Sequence, residues 1–599
     1  MRVAHAALPF LVDGYPVFGF AVPPRPCAGP NVPGPLKPAN IGLLLQAGPY
    51  AARAKAVAQA GIDLCYEGVL PSGVYRNMVP PELCDEVDRQ LRREIAAGYI
   101  APLHEDVVAA VPELLDVANA VLRAVVEPTK IRRLHDHSAW HYDAAGEWQR
   151  GGVNARVNLA ALGQCPLGTV TDMGKDVYRL RATWGVDPVG MVVDFKGAFR
   201  QLPVRAVDVP SQLLRWRGVL AWDCRASMGH RSAAHAMAQL SCAICDAANV
   251  AGAGLLRAYQ YIDDHLVLMH PAVMAVMAPW YLQLIGAVGM TVAPSKLQVP
   301  GPQFHWLGFG TCLRRQVHWV PPAKLAELLL LLQEATAWPA PGPLQGARAA
   351  AARRLLGKLQ HVAHVFQPGR PLLRATYTAV DAETMSVVAA GDLRWWASVL
   401  PRLDRVCAMR RPHTAADMRV TTDASLHGFG FVVRPGEAVV QVDAGYWAPW
   451  PPALRVMLRT GDMPWLEAIG FLCALLHMLG DPLWSRRIRH GMLVWEGDCT
   501  GALHALLRGA SRNPGLHAVV RAVFAQFLVC DIQLHTVHVP SERNVADFLS
   551  RLPGPAHLLP APPARRWRRI ARTSASPGTP WLLSKLGSYR RHTAGVGQF

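Results

Sequence analysis

Acidic residues are scarce in this chain of 599 residues: Asp and Glu number 43 against 61 Lys and Arg, a formal net charge of +18. A surface short of acids repels cations and attracts polyanions, with nucleic acid as the first candidate partner. Long apolar runs are missing too. The longest, Leu328 to Leu332 among them, fall far short of a spanning helix, so no membrane segment is predicted. The run Ala6 to Val12 is cut by Asp13 before it reaches the length of a secretory core. This reads as no signal peptide, and it predicts a cytoplasmic or nuclear protein rather than a secreted one. The 12 cysteines stand singly except for Cys242 and Cys245. That scatter argues against a disulfide framework and for a reducing compartment, and with no second pair at zinc-finger spacing the close pair is read as packing in an Ala-rich helix. No internal repeat is visible.

With 51% hydrophobic residues the chain is apolar enough for several cores and too long for one, so three or four domains are expected. Residues 1–75 are rich in Gly and Pro, a composition that predicts a loosely folded leader without regular elements. From Pro80 to Tyr99 a proline start, early acids, helical apolar spacing and a following glycine predict a helix. Two apolar runs interrupted by carboxylates, at 187–203 and 257–269, read as buried strands. Helices are expected over 322–366 around the Pro-rich stretch Trp338 to Pro343. A new unit opens at 418 with MRVTTDASLHGFGFVV and closes near Arg551. The tail, 553–599, is Pro- and Arg-rich and predicted to be mostly disordered. Its Arg565-Arg566-Trp567-Arg568-Arg569 suits a nuclear-import signal, a phosphate-binding arm or a merely basic tail equally well.

Asp263 and Asp264 stand side by side in Tyr261-Ile262-Asp263-Asp264, with apolar residues on both sides. Carboxylates beside a strand core need compensation. A hairpin turn facing water would supply it. So would a pair of divalent cations shared with Asp194 at the end of VGMVVD, an arrangement suited to phosphoryl transfer. DFKGAFRQLPV from Asp194 and the box YIDD resemble motifs A and C of reverse transcriptases. The resemblance implies that Asp194 and Asp263 bind two magnesium ions, with manganese as a substitute, and that Asp264 supports them. It also implies that Phe199 lies beneath the sugar and excludes a ribose 2′-OH, hence a preference for deoxynucleoside triphosphates. KIRRLHD from Lys130 resembles the fingers segment, with Lys130 and Arg132 on the triphosphate. MGHRSAA carries motif B's glycine as Gly229 but has Met228 and Ala234 where the family has an aromatic or Gln and a proline. GMTVAPSK resembles motif D, with Lys296 as candidate proton donor to pyrophosphate, and HWLGF resembles the primer-grip turn, at Trp306, Leu307 and Gly308.

Further along, Asp423, Glu467, Asp498 and Asp547 follow in the order of the ribonuclease H tetrad. That resemblance implies a second pair of magnesium ions and an RNA–DNA hybrid as substrate, read by shape and 2′-hydroxyls. One departure stands out: where retroviral members have a catalytic-loop histidine, this chain has Ser541-Glu542 after Val539-Pro540. The implied fold is an α+β right-hand polymerase, with fingers and palm at 76–320 and thumb and connection at 321–415. An α/β ribonuclease H-like domain with a mixed sheet follows at 416–552. The implied partners are an RNA template, a DNA primer and their hybrid, with no membrane; oligomeric state is not readable. The ending NVADFLSR and HDHS in the fingers lean toward retrotransposons of the DIRS and Ngaro kind, with Ty3-like and pararetroviral sources also open. Phe199 and the tetrad argue against an RNA-dependent RNA polymerase. An inactive or domesticated relic that grips nucleic acid is the other alternative, and the presence of all seven acids weighs against decay.

Overall fold

The computed structural model describes residues 36–46, 48–66, 77–110, 121–127, 130–139, 152–402, 407–436, 444–451 and 458–551, with the short pieces 16–17, 20–21, 141–142, 148–149, 455 and 567–569. The expected mixed α/β class holds, and the chain divides into two compact units: Met1–Thr169 with Trp184–Leu307, and Val170–Thr183 with Gly308–Phe599. The division after Leu307 comes earlier than the expected boundary at 320.

In the first unit, residues 38–44 and 51–60 are helical, which corrects the expectation of a leader without elements. Helix α1 (Pro38–Leu44) opens on Pro38, whose missing N–H is one that a first helical turn leaves unpaired anyway, and α2 (Ala51–Ala60) follows. Ile41 and Leu45 are fully buried in the cluster that also holds Met191, Val193 and Trp222. Burying each such aliphatic side chain contributes about 1.5–3 kcal/mol, enough to fold a segment whose composition argues against it. Helix α3 (Cys84–Ala96) has Asp85 and Glu86 in its first turn and Arg93 in its last, matching the helix dipole, and buries Val87, Leu91 and Ile95 at four-residue spacing.

Strands β1 (Val121–Glu127) and β2 (Lys130–Asp136) form an antiparallel hairpin. Then come β3 (Val189–Asp194), β4 (Val219–Asp223), α4 (Arg231–Ala251), β5 (Leu256–Tyr261), β6 (Asp264–Met269), α5 (Met274–Ala287) and β7 (Gln298–Gly301). An antiparallel sheet runs β5-β6-β3-β7. Strand β3 sits inside this sheet, and its residues 190–193 are buried on both faces, which is why it reads as a continuous hydrophobic segment rather than an alternating one.

The second unit opens with helical layers. Helices α6 (Pro322–Thr336), α7 (Gly346–Val362) and α8 (Val387–Val399) share a core of Leu328, Leu332, Leu355, Leu359 and Trp396. A six-stranded mixed sheet follows, built from β8 (Met418–Ala424), β9 (Gly428–Pro435), β10 (Ala444–Pro449), β11 (Met492–Gly497), β12 (Gln533–His538) and β13 (Trp567–Arg569), in the order β12-β11-β8-β9-β10-β13. Strands β8, β9 and β10 are antiparallel neighbours; β11 runs parallel to both β8 and β12, and β13 parallel to β10. Strand β13 lies in the tail predicted to be disordered, a correction for those three residues; the rest of the tail lies outside the described residues.

Helices α9 (Met463–Gly480), α10 (Thr500–Arg508) and α11 (Pro514–Cys530) bury Leu466, Ile469, Leu503, Val520 and Phe524 in the core of this domain. Helix α9 also corrects the statement that no stretch approaches a membrane span. Its 18 residues have a hydropathy of 1.5, and among the described residues it is the one helix long and apolar enough to cross a bilayer. Most of it is buried against its own domain, and a helix enclosed on most sides is apolar all round for that reason.

Candidate active sites

The first site stands on strand register. Asp264, the first residue of β6, lies opposite Asp194, the last residue of β3, and also pairs with Tyr261 across the hairpin to β5. Only Ile262 and Asp263 connect β5 to β6. Ile262 takes φ +58°, a left-handed conformation at the first loop position of the kind a two-residue hairpin usually gives to glycine. Its N–H donates to Gln260 Oε1 at 2.8 Å, which ties the turn to β5. Three carboxylates therefore crowd one sheet end. Burial pushes Asp264 up to about 6, with Asp263 and Asp194 adding to the rise, and burial followed by Asp194 raises Asp263 as well. Lys296 places its ammonium 2.7 Å from Asp194 Oδ2, so a cation already sits on this donor set. Oxygen ligands crowded until their charge is disfavoured fit hard divalent cations.

These acids line a cavity of about 1110 Å³ together with Phe199, Arg132, Met228 and Lys296. Phe199 belongs to the turn Ala198–Gln201, five residues after Asp194. Gly229 is required where it stands. Its φ is +118°, and a Cβ there would fall 2.0 Å from the carbonyl oxygen of His135 on β2. His135 N donates to Met228 O at 3.1 Å and Asn154 Nδ2 to Gly229 O at 2.8 Å, so this turn packs directly on the β1–β2 hairpin.

Lys130 opens β2, but its side chain lies outside the described residues. Trp306 is a correction. Its indole is 2% exposed and packs near Tyr259, with ring centroids 6.1 Å apart, so it is a core residue and cannot touch a primer. Leu307 and Gly308 do form a turn, at φ +48° and +79°. A Cβ on Gly308 would lie 2.5 Å from Lys324 Nζ and 3.1 Å from His361 Nε2, two basic groups that the motif did not reveal.

The second site brings the later acids together. Asp423 lies on β8, Glu467 on α9 and Asp498 directly after β11, and one ligand atom from each falls within 4.8 Å of the others. Asp547, which opens the short helix Asp547–Ser550, stands outside that tight triad but lines the same cavity of about 580 Å³. Gly430 on β9 makes room for that helix, since a Cβ there would meet Leu549 Cβ at 2.2 Å. Glu467 Oε1 accepts from Ala424 N at 2.9 Å, whereas its buried Oε2 has no hydrogen-bond partner. Burial, with Asp423 and Asp498 adding, holds Glu467 well above the ordinary carboxyl range, and burial pushes Asp423 to about 6. An orphaned oxygen aimed into a triad of acids fits a metal ion.

Two further residues support the acids. Ser541 Oγ donates to Asp498 Oδ2 at 2.6 Å, and Asn544 Nδ2 donates to Asp423 Oδ1 at 3.3 Å. Ser541 stands in the loop where a histidine was missed. Exposed His427, in the turn between β8 and β9, lines the same cavity.

No protein-family model and no curated protein matches the chain. Among solved structures it is similar to a foamy viral protease–reverse transcriptase in complex with double-stranded DNA: 11% identity, TM-score 0.45, covering 84% of this chain and 81% of that one. It is also similar to a foamy viral protease–reverse transcriptase in complex with an RNA/DNA hybrid, at 11% identity and TM-score 0.45, over 85% of this chain and 64% of that one.

Proposed function

We propose that the chain is an RNA-directed DNA polymerase with a ribonuclease H domain, encoded by a retrotransposon of the DIRS or Ngaro kind. The observation that carries this reading is the register that sets Asp264 opposite Asp194, with Asp263 in the adjoining turn and Phe199 and Arg132 lining the same cavity. Asp194, Asp263 and Asp264 would hold magnesium in the first site, and Asp423, Glu467, Asp498 and Asp547 in the second; manganese would substitute in either. When bound, the cations supply charge neutralisation for phosphoryl transfer.

The chain's own groups do the rest. Arg132 faces the triphosphate, and Phe199 fills the space a ribose 2′-OH would need. Gly229 lets the backbone come close to template and nucleotide. In the second site Ser541 and Asn544 orient Asp498 and Asp423 against the RNA strand of a hybrid. The site of action is the cytoplasm or the nucleus.

The test is primer extension on poly(rA) with oligo(dT), comparing the intact chain with Asp263→Asn, alongside cleavage of a labelled RNA–DNA hybrid by Asp498→Asn. Extension lost only in the first variant and cleavage lost only in the second is the expected result. A folded intact protein that extends nothing with either Mg²⁺ or Mn²⁺ would sink the polymerase reading in favour of a nucleic-acid-binding relic.

A further inference from the structure

One wall of the first cavity carries an ion network to which the motifs assign no role: Glu94, Arg133 and Arg200 line the cavity, and Asp223 is buried against Arg200. Glu94 on α3 accepts at one oxygen, Oε2, from Arg133 Nη2 at 2.5 Å and from Arg200 Nη2 at 2.7 Å. Arg200 Nη1 also donates to both carboxylate oxygens of Asp223, at the end of β4, at 2.8 Å each. Asp223 is fully buried and further held by the Arg225 N–H at 3.1 Å. Two guanidinium and two carboxylate groups balance in charge, while Arg133 Nη1 and Arg200 Nε are buried without a hydrogen-bond partner. Burial alone would raise Glu94, but the guanidinium charges of Arg200 and Arg133 hold it below its ordinary value.

What matters is where the arms lead. Arg133 is the neighbour of Arg132 on β2, the strand read as facing the triphosphate. Arg200 is the neighbour of Phe199, read as facing the sugar. The next residue, Gln201, anchors the same turn, donating to the Lys196 and Thr291 carbonyls at 2.8 and 3.1 Å. A single carboxylate oxygen thus joins the phosphate-facing wall of the cavity to its sugar-facing wall.

We propose that Glu94 and Arg200 are positioning residues that set the width of the nucleotide slot, and thereby its discrimination between deoxy- and ribonucleotides. This rests on the polymerase reading. Charge-assisted hydrogen bonds in a low-dielectric setting hold geometry tightly, and a slot that screens for one hydroxyl needs its walls fixed to a fraction of an ångström.

The experiment compares the intact chain with Glu94→Gln, which is isosteric, and Arg200→Lys, which keeps the charge but loses the fork. Steady-state incorporation of dTTP and UTP is measured on poly(rA) with oligo(dT), and hydrogen exchange of the β2 amides is followed in the same proteins. The expected result is a KM for dTTP raised about tenfold with kcat within threefold, a dTTP-over-UTP preference reduced about tenfold in Glu94→Gln, and a smaller loss in Arg200→Lys. Hybrid cleavage by the same variants stays within about twofold, and the retained kcat for dTTP marks the first unit as folded. Folded, active variants with unchanged preference and KM overturn the proposal. If the intact chain incorporates neither nucleotide, the polymerase reading fails and the discrimination claim with it. Faster β2 exchange in Glu94→Gln then supports the anchoring claim alone, and unchanged exchange overturns that too.

Discussion

Removing a negative charge from the second site should make the protein more stable. Asp423 is 5% exposed, and its carboxyl is pushed from an ordinary 3.8 to about 6, first by burial and then by Asp498 and Asp547. An acid whose folded value is raised imposes no penalty below its unfolded value; the penalty grows between the two values and is constant above the folded one. At about 1.4 kcal/mol per pH unit, the ionised Asp423 costs about 3 kcal/mol above pH 6, about half that at pH 5, and almost nothing below pH 3.8. Asp423→Asn keeps the shape and drops the charge. In calorimetry of the intact chain at pH 7.5 without divalent cations, the transition of the C-terminal domain should rise by about 6–12 °C, and by about half as much at pH 5. Magnesium should close the gap from the other side. At a hundredfold excess over its dissociation constant it adds about 2.7 kcal/mol to a protein that binds it, and much less to the variant. An Asp423→Asn transition that falls at pH 7.5, or a magnesium shift equal in both proteins, refutes this account of the site as a strained cluster of acids awaiting cations.

Other outcomes follow from the same geometry. Asp264 ionises at about 6, so cation affinity at the first site, read as the Mg²⁺ concentration for half-maximal extension, should weaken about tenfold per pH unit below 6 and level off above it. Gly229→Ala forces a Cβ onto the His135 carbonyl at a φ that L-residues rarely adopt; chemical denaturation should show a loss of about 3 kcal/mol or more, with extension abolished. Ser541→Ala removes a hydrogen bond to Asp498 that is largely solvent-exposed, a loss of about 1 kcal/mol, so hybrid cleavage should slow about fivefold while primer extension is unchanged.

Some of this was legible in the chain. Asp194, Asp263 and Asp264 stood out because a carboxylate inside an apolar run must be compensated, whereas Glu467 was picked out only by its place in the order of the tetrad; the structure gathers each into a cluster of acids. Ser541 was noticed only as a missing histidine; its contact with Asp498 depends on how the loop after β12 returns to the end of β11. The leader misled because proline was read as a breaker, although Pro38 stands at a helix start, where proline is favoured, and Ile41 and Leu45 supply the burial. Trp306 misled because the likeness of HWLGF to a primer-grip turn does not say which face of the preceding strand is buried, and Trp306 lies on the buried one. Glu94, Arg133, Arg200 and Asp223 could not be read at all. Each resembles a solvated surface charge, and nothing local signals that residues so far apart in sequence meet in one part-buried network.

Ile262 carries a consequence for anyone who evolves this protein in the laboratory. A β-branched residue at φ +58° costs about 1–2 kcal/mol, which glycine, or to a lesser degree asparagine, would recover. A library selected only for heat resistance should therefore collect glycine or asparagine at 262, while one selected for the proposed primer extension should keep a stiff side chain that holds Asp263 and Asp264 in register. The two selections would diverge at this residue, and the divergence would measure how much folding stability the chain gives up to keep its first pair of aspartates still.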